Sequence, residues 1–168
     1  MSNEILFTER QRIKLWWVWV IFLCVDGFFL FGVFKQVING QQFGSNPMSN
    51  AGLLFMTGLM IAFTLFIASI HLDTIIKKDG IYVRFSPFHT TFKHYTWDKL
   101  TKTFVRQYSP IIEYSGWGLR VGLWKTAFTT SGNKGLQLEF TDNKTLLIGT
   151  HKPDELTEAL NKIEQLKQ

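Results

Sequence analysis

The sequence predicts two transmembrane α-helices followed by a mainly-β domain that closes with one C-terminal helix. Three observations predict it. Two apolar stretches, 15–34 and 53–70, stand apart from an otherwise polar chain of 168 residues. After His71 the pattern changes to apolar–polar alternation broken by turn residues, which is the signature of half-buried strands. From Pro153 onward, Leu156, Leu160, Ile163 and Leu166 recur at helical spacing. The expected division is an N-terminal segment 1–14, a helical hairpin 15–72 with a loop near 35–50, and a β domain 73–168.

Each apolar stretch is long enough to cross a bilayer, at about 1.5 Å per residue against roughly 30 Å of hydrocarbon. Arg10, Arg12 and Lys14 precede the first stretch, as they would in a secretory signal. No Ala-x-Ala-like site follows, because the chain runs Phe34-Lys35-Gln36-Val37, so the stretch reads as an uncleaved anchor. Lys77, Lys78 and Arg84 follow the second stretch, whereas the loop between the two holds only Lys35. The bias of basic residues toward the inner face then places both termini in the cytoplasm of a multi-pass plasma-membrane (inner-membrane) protein. Trp16, Trp17 and Trp19 sit where amphipathic rings favour headgroups.

Asp26 falls near the expected bilayer midplane, where a carboxylate costs several kcal/mol, about 3 on insertion scales. An antiparallel second helix brings Thr57 and Thr64 to similar depth, so an intramembrane polar contact from Asp26 to a threonine is expected. Gly58 and Ala62, spaced small-x-x-x-small, are expected to let the helices approach closely. A proton relay is the rival reading, and it lacks a second ionisable partner. Cys24, the one cysteine, reads as a small apolar packing residue.

In the β domain, Asp79-Gly80 between two β-rich runs predicts a hairpin. Further strands are expected near 91–95, 102–107, 119–128, 136–140 and 145–149, the last two separated by Thr141-Asp142-Asn143-Lys144. Pro153 fits the first position of the closing helix, with Asp154 and Glu155 at its positive end. About seven antiparallel strands in a bent sheet or partly open barrel are expected.

This order of elements resembles bacterial pleckstrin-homology-like domains that follow a transmembrane hairpin. The residues that carry the likeness are Asp79-Gly80-Ile81-x-Val83-Arg84, Trp97-Asp98-x-Leu100, Ile148-Gly149-Thr150-x-x-Pro153-x-Glu155-Leu156, and Tyr114-Ser115-Gly116-Trp117-Gly118-Leu119-Arg120. The resemblance implies a seven-stranded barrel with a C-terminal helix, on a scaffold used for lipid, peptide and self-association alike.

No catalytic motif is present in the sequence: no Gly-x-Ser-x-Gly, His-Glu-x-x-His or phosphate-binding glycine loop. His89, His94 and Asp98 match no standard ligand spacing, and His151 stands apart, so neither a metal nor a cofactor is expected. Nine Lys/Arg against four Asp/Glu lie in 71–125, and five against six in 126–168. Lys77, Lys78, Arg84 and Lys93 therefore form a candidate face for anionic headgroups. Trp117 between Gly116 and Gly118, with Arg106 and Arg120, is either a candidate aromatic–cationic pocket or a bend whose tryptophan plugs the domain. No basic helix or repeated aromatic–basic platform points to nucleic acid. The expected role is non-enzymatic: a bilayer-embedded module that binds a partner membrane protein or forms a homo-oligomer. Sensing of anionic lipid is the alternative, and an enzyme of unknown class the lesser one.

Overall fold

The structure is a computed structural model, and it describes residues 4–166. The chain divides into two compact units. One is Leu15–Ser69; the other joins the segment up to Lys14 with everything from Ile70 onward.

The first unit is an antiparallel helical pair. Helix α1 spans Trp16–Val33 and runs on into a π-helical turn, Phe34–Ile38; helix α2 spans Asn50–Ser69. Both are long and apolar enough to cross a membrane. Each is apolar all round, so only a narrow stripe is covered by its neighbour. On α2 that stripe starts with Leu53 and Thr57, one helical turn apart. Phe22 meets Phe63 across the pair at 5.9 Å between ring centroids. The connecting loop folds back: Phe43 packs on Phe28 and Phe31, and a Cβ at Gly32 would stand 2.8 Å from the Phe43 ring. Gln36 fastens the loop by donating to the Met48 carbonyl and to Asn50 Oδ1.

The second unit is β-rich. Strands β1 (Ile5–Arg12), β2 (His71–Lys77), β3 (Gly80–Ser86) and β4 (Lys93–Thr96) form an antiparallel meander. A 3-10 turn at Trp97–Lys99 leads into a five-stranded sheet of order β5-β8-β9-β7-β6. Its members are β5 (Leu100–Gln107), β6 (Gly118–Val121), β7 (Lys125–Thr129), β8 (Lys134–Phe140) and β9 (Thr145–Gly149). A short helix α3 (Pro110–Tyr114) joins β5 to β6, and helix α4 (Pro153–Asn161) follows β9. The inner faces share one core: Leu72, Ile76 and Phe85 from the first sheet, Phe128, Leu136 and Ile148 from the second, and Leu156 and Leu160 from α4.

The two apolar helices, the β-rich remainder and the C-terminal helix appear as the sequence predicts. Three features differ. Nine strands form among the described residues rather than seven, and β7 runs parallel to β9. The strands make two open sheets that do not close into a barrel. The N-terminal segment supplies β1, paired with β2 from Arg12↔His71 to Ile5↔Lys77. It escaped sequence reading because two of its inward residues, Glu9 and Gln11, are polar, so the strand shows no apolar alternation. Helix α4 is also shorter than expected; Ile163 and Leu166 still reach the core, but from the segment beyond its end.

Candidate functional site

The expected basic face is dispersed and largely engaged. Lys77 lies opposite Gly80 and Arg84 opposite Asp73, which puts them at opposite ends of the β2–β3 hairpin. Lys78 pairs with Glu4 at 2.6 Å, and Lys77 lies over the Tyr82 ring at 4.8 Å. Asp73, buried in the middle of the meander, takes Arg10 on one side and Arg84 on the other, at 2.6 and 2.7 Å. Burial pushes the Asp73 carboxyl up, but hydrogen bonds from Arg10 and Arg84 outweigh it and hold the carboxyl below its ordinary value. Arg84 also covers the Phe92 ring at 4.5 Å. Lys93 lies elsewhere, 5.6 Å over the Phe128 ring.

Trp117, Arg106 and Arg120 each hold a different partner. Trp117 is half-buried, and its indole N–H donates to the Gly132 carbonyl at 2.7 Å, clipping the approach to β6 onto the β7–β8 turn. Arg106 makes a two-point contact with Glu113, at 3.2 and 2.7 Å, and its Nε donates to Gln137. Arg120 donates to the Ser115 carbonyl at the end of α3. A positive charge already held by a carboxylate has little left for a ligand, which leaves Lys77, Lys93 and Arg120 as the less committed cations of the expected set.

In the helical unit the expected Asp26–threonine contact is absent. Thr57 Oγ1 donates instead to the Leu53 carbonyl of its own helix at 2.7 Å, the usual local bond of a helical threonine. Asp26 Oδ1 and Thr64 Oγ1 are buried atoms without a hydrogen-bond partner among the described residues. Gly58 and Ala62 face outward and do not tighten the pair; a Cβ at Gly58 would meet nothing within 4 Å. The reason is rotation. Thr57 takes the buried position, and the next residue lies about 100° round the helix.

Among the histidines, His89 Nδ1 accepts from the Phe85 N–H at 3.3 Å, and burial together with Lys93 pushes its pKa down. His94 stacks on Tyr82 at 4.1 Å with its Nε2 3.8 Å from Asp79. Asp98 lies exposed on the 3-10 turn. Among the described residues no group of three or more His, Cys, Asp or Glu is placed to hold a metal. Comparison with protein-family models and with curated proteins finds no match. The reading of function therefore rests on the geometry alone.

Two arrangements escaped the sequence. The first is a buried polar seam along β1. Glu9 accepts from Thr150 Oγ1 at 2.7 Å and from the His151 N–H at 2.9 Å, and Gln11 donates to the Gly149 carbonyl at 2.6 Å. Ser131 Oγ lies 2.9 Å from His151 Nε2. A catalytic serine–histidine pair needs an open hydroxyl and an acid on the second ring nitrogen. Ser131 is 4% exposed and Glu9 is occupied by a backbone N–H and a hydroxyl, so the seam reads as structural.

The second is a cleft of about 390 Å³ that opens between β4 and the far side of the second sheet. Phe128, Phe140 and Leu146 line it, and Lys93, Lys99 and Lys144 stand around it. No local pattern could have revealed it, because its walls come from β4, β7 and the turn between β8 and β9.

Proposed function

We propose that this chain is an integral membrane protein whose α1–α2 hairpin crosses the bilayer and whose β unit is a cytoplasmic, PH-like, non-enzymatic module that works through self-association. One observation carries the membrane reading. Large apolar side chains around both helices are left uncovered, with Trp16 74% and Phe55 70% exposed. Hydrocarbon is the solvent in which such a surface costs nothing. Arg10, Arg12 and Lys14 ahead of α1, against Lys35 alone in the loop, support an inside position for both termini. Self-association is supported by the outward small residues Gly58 and Ala62, one turn apart on the exposed face of α2. In a bilayer, small residues permit close helix approach.

The test is the mass of the purified full-length particle in mild detergent, native against Gly58→Leu. Open space at Gly58 leaves the hairpin itself undisturbed by leucine, so only a contact between copies is affected. Native protein larger than one chain, with Gly58→Leu shifted toward the monomer, is the expected result. A native monomer refutes self-association.

A second reading, contact with anionic headgroups, is favoured by the β6–β7 hairpin. Its sequence Arg120-Val121-Gly122-Leu123-Trp124-Lys125 holds three outward apolar residues between two cations, with Leu123 88% exposed. Tryptophan and flanking cations are the side chains that favour an anionic membrane surface. Quenching of Trp124 by brominated lipid, taken as the difference between native protein and Trp124→Phe, should appear in anionic proteoliposomes. Its absence there removes this reading.

A further inference from the structure

The β4-side cleft has the chemistry of a ligand site, and it lies in the β unit, apart from the helical contacts invoked for self-association. Its volume, about 390 Å³, falls within the range of about 300–1,000 Å³ usual for small-molecule pockets. It exists because the two sheets do not close: β4 ends the first sheet without a partner on its outer edge. The second sheet lines it with Val121, Phe128, Phe140 and Leu146 beside Thr126 and Thr145, and Val121 is 73% exposed. Phe128 and Leu146 belong to the shared core, and Phe140 packs on Tyr95 at 5.5 Å.

The cations around it have a different arrangement. Lys144 is paired with Asp142 at 2.6 Å. Lys93 and Lys99 are exposed and have no ion pair among the described residues. Lys93 extends over the Phe128 ring at 5.6 Å, which sets a cation directly against the apolar lining. The hydroxyl of Tyr95, also in the lining, makes no hydrogen bond among the described residues; burial pushes its pKa up, so it remains a donor at neutral pH. Three lysines against one aspartate leave the opening net positive.

We infer that this cleft binds a single-chain anionic amphiphile, its acyl chain against Val121, Tyr95 and Phe140 and its head against Lys93 and Lys99. A fatty carboxylate and a single-chain phosphate share this chemistry. The cleft is too small for a folded partner, and its charge disfavours a cationic ligand. An acidic extended peptide on the free edge of β4 is the competing occupant.

The test uses the full chain in neutral nanodiscs, with dansylated undecanoate as probe and empty nanodiscs as background. Saturable binding is expected, displaced by dodecanoate and by dodecyl phosphate but not by dodecanol. The stronger of the two displacers identifies the head as carboxylate or phosphate. Lys93→Gln and Lys99→Gln should each weaken binding about fivefold, the effect of one charge worth roughly 1 kcal/mol near an anionic group. Both residues are exposed, so these variants retain the fold. Thr126→Phe, which fills the cleft, should abolish binding, with an unchanged circular dichroism spectrum as its control. Three results overturn the inference: no binding above empty nanodiscs, displacement by dodecanol as strong as by dodecanoate, or stronger displacement by an oligoglutamate peptide. The inference and the self-association reading can fail separately, because Gly58→Leu leaves the cleft intact.

Discussion

Removing the first fourteen residues should unfold the β unit, although the helices and loop of Leu15–Ser69 separate them from it in sequence. The test compares two soluble chains. One starts at Ile70. The other carries the segment through Ile13, joined to Ile70 by an Asn-Gly turn in place of the helices. The join is feasible because Arg12 and His71 face each other in the β1–β2 register, and Asn-Gly favours a two-residue hairpin turn. The magnitude follows from what β1 contributes. Phe7 is 6% exposed, and burying such a side chain contributes about 1.5–3 kcal/mol. Glu9 satisfies the Thr150 hydroxyl and the His151 N–H, and Gln11 satisfies the Gly149 carbonyl. Leaving each group unpaired costs about 1 kcal/mol even at the low end, where water reaches it. The loss is then roughly 5 kcal/mol, comparable with the whole stability of a small domain. Urea unfolding followed by far-UV circular dichroism reads the difference. The joined chain should unfold cooperatively, and the chain from Ile70 should lack a folded baseline. Equal midpoints for the two would refute the reasoning.

Three further outcomes are expected. Asp73→Asn should destabilise the joined chain by about 2 kcal/mol, since it breaks charge-assisted hydrogen bonds to a buried carboxylate. The Asp73 carboxyl is held below its ordinary value, so its contribution is complete above about pH 3.9 and is lost as pH falls through the folded-state value; acid titration should show that limb flattened in Asp73→Asn. Burial pushes the Tyr108 hydroxyl up to about 12, and its Oη has no hydrogen-bond partner among the described residues. Ultraviolet titration of Tyr108→Phe should therefore lack the last phenolate step. Stability at pH 7 should change by less than about 0.5 kcal/mol, because no hydrogen bond is lost. In the native chain, stability should fall as pH rises from about 10, where the unfolded phenol ionises first. Gly80→Ala should cost more than about 1 kcal/mol in thermal unfolding, because φ is +154° there and the new Cβ would run into the Tyr95 carbonyl.

What the sequence revealed is local in origin. Two uninterrupted apolar runs predict α1 and α2 whatever surrounds them. Asp79-Gly80 between β-rich runs predicts the β2–β3 hairpin, and the structure turns one residue earlier, with Gly80 already paired to Lys77. Leu136-Gln137-Leu138-Glu139-Phe140 alternates in the sequence and forms β8. Pro153, Asp154 and Glu155 mark the start of α4 because their preferences act within a single turn. The charge bias around α1 and the absence of any catalytic motif are likewise readable without a structure.

Tertiary pairing decided the rest. β1 has polar inward residues whose partners are Gly149, Thr150 and His151, roughly 140 positions away, so no window of sequence contains both halves of the pattern. Arg84 and Arg106 look like free cations in sequence; packing places Asp73 and Glu113 beside them. Gly58 sits at helical spacing from Ala62, yet helix rotation turns both away from α1. The cleft beside β4 arises only because two open sheets leave an edge strand uncovered. Helices and tight turns are specified by neighbours along the chain, whereas strand partners, ion pairs and cavities depend on residues that meet only once the chain has folded.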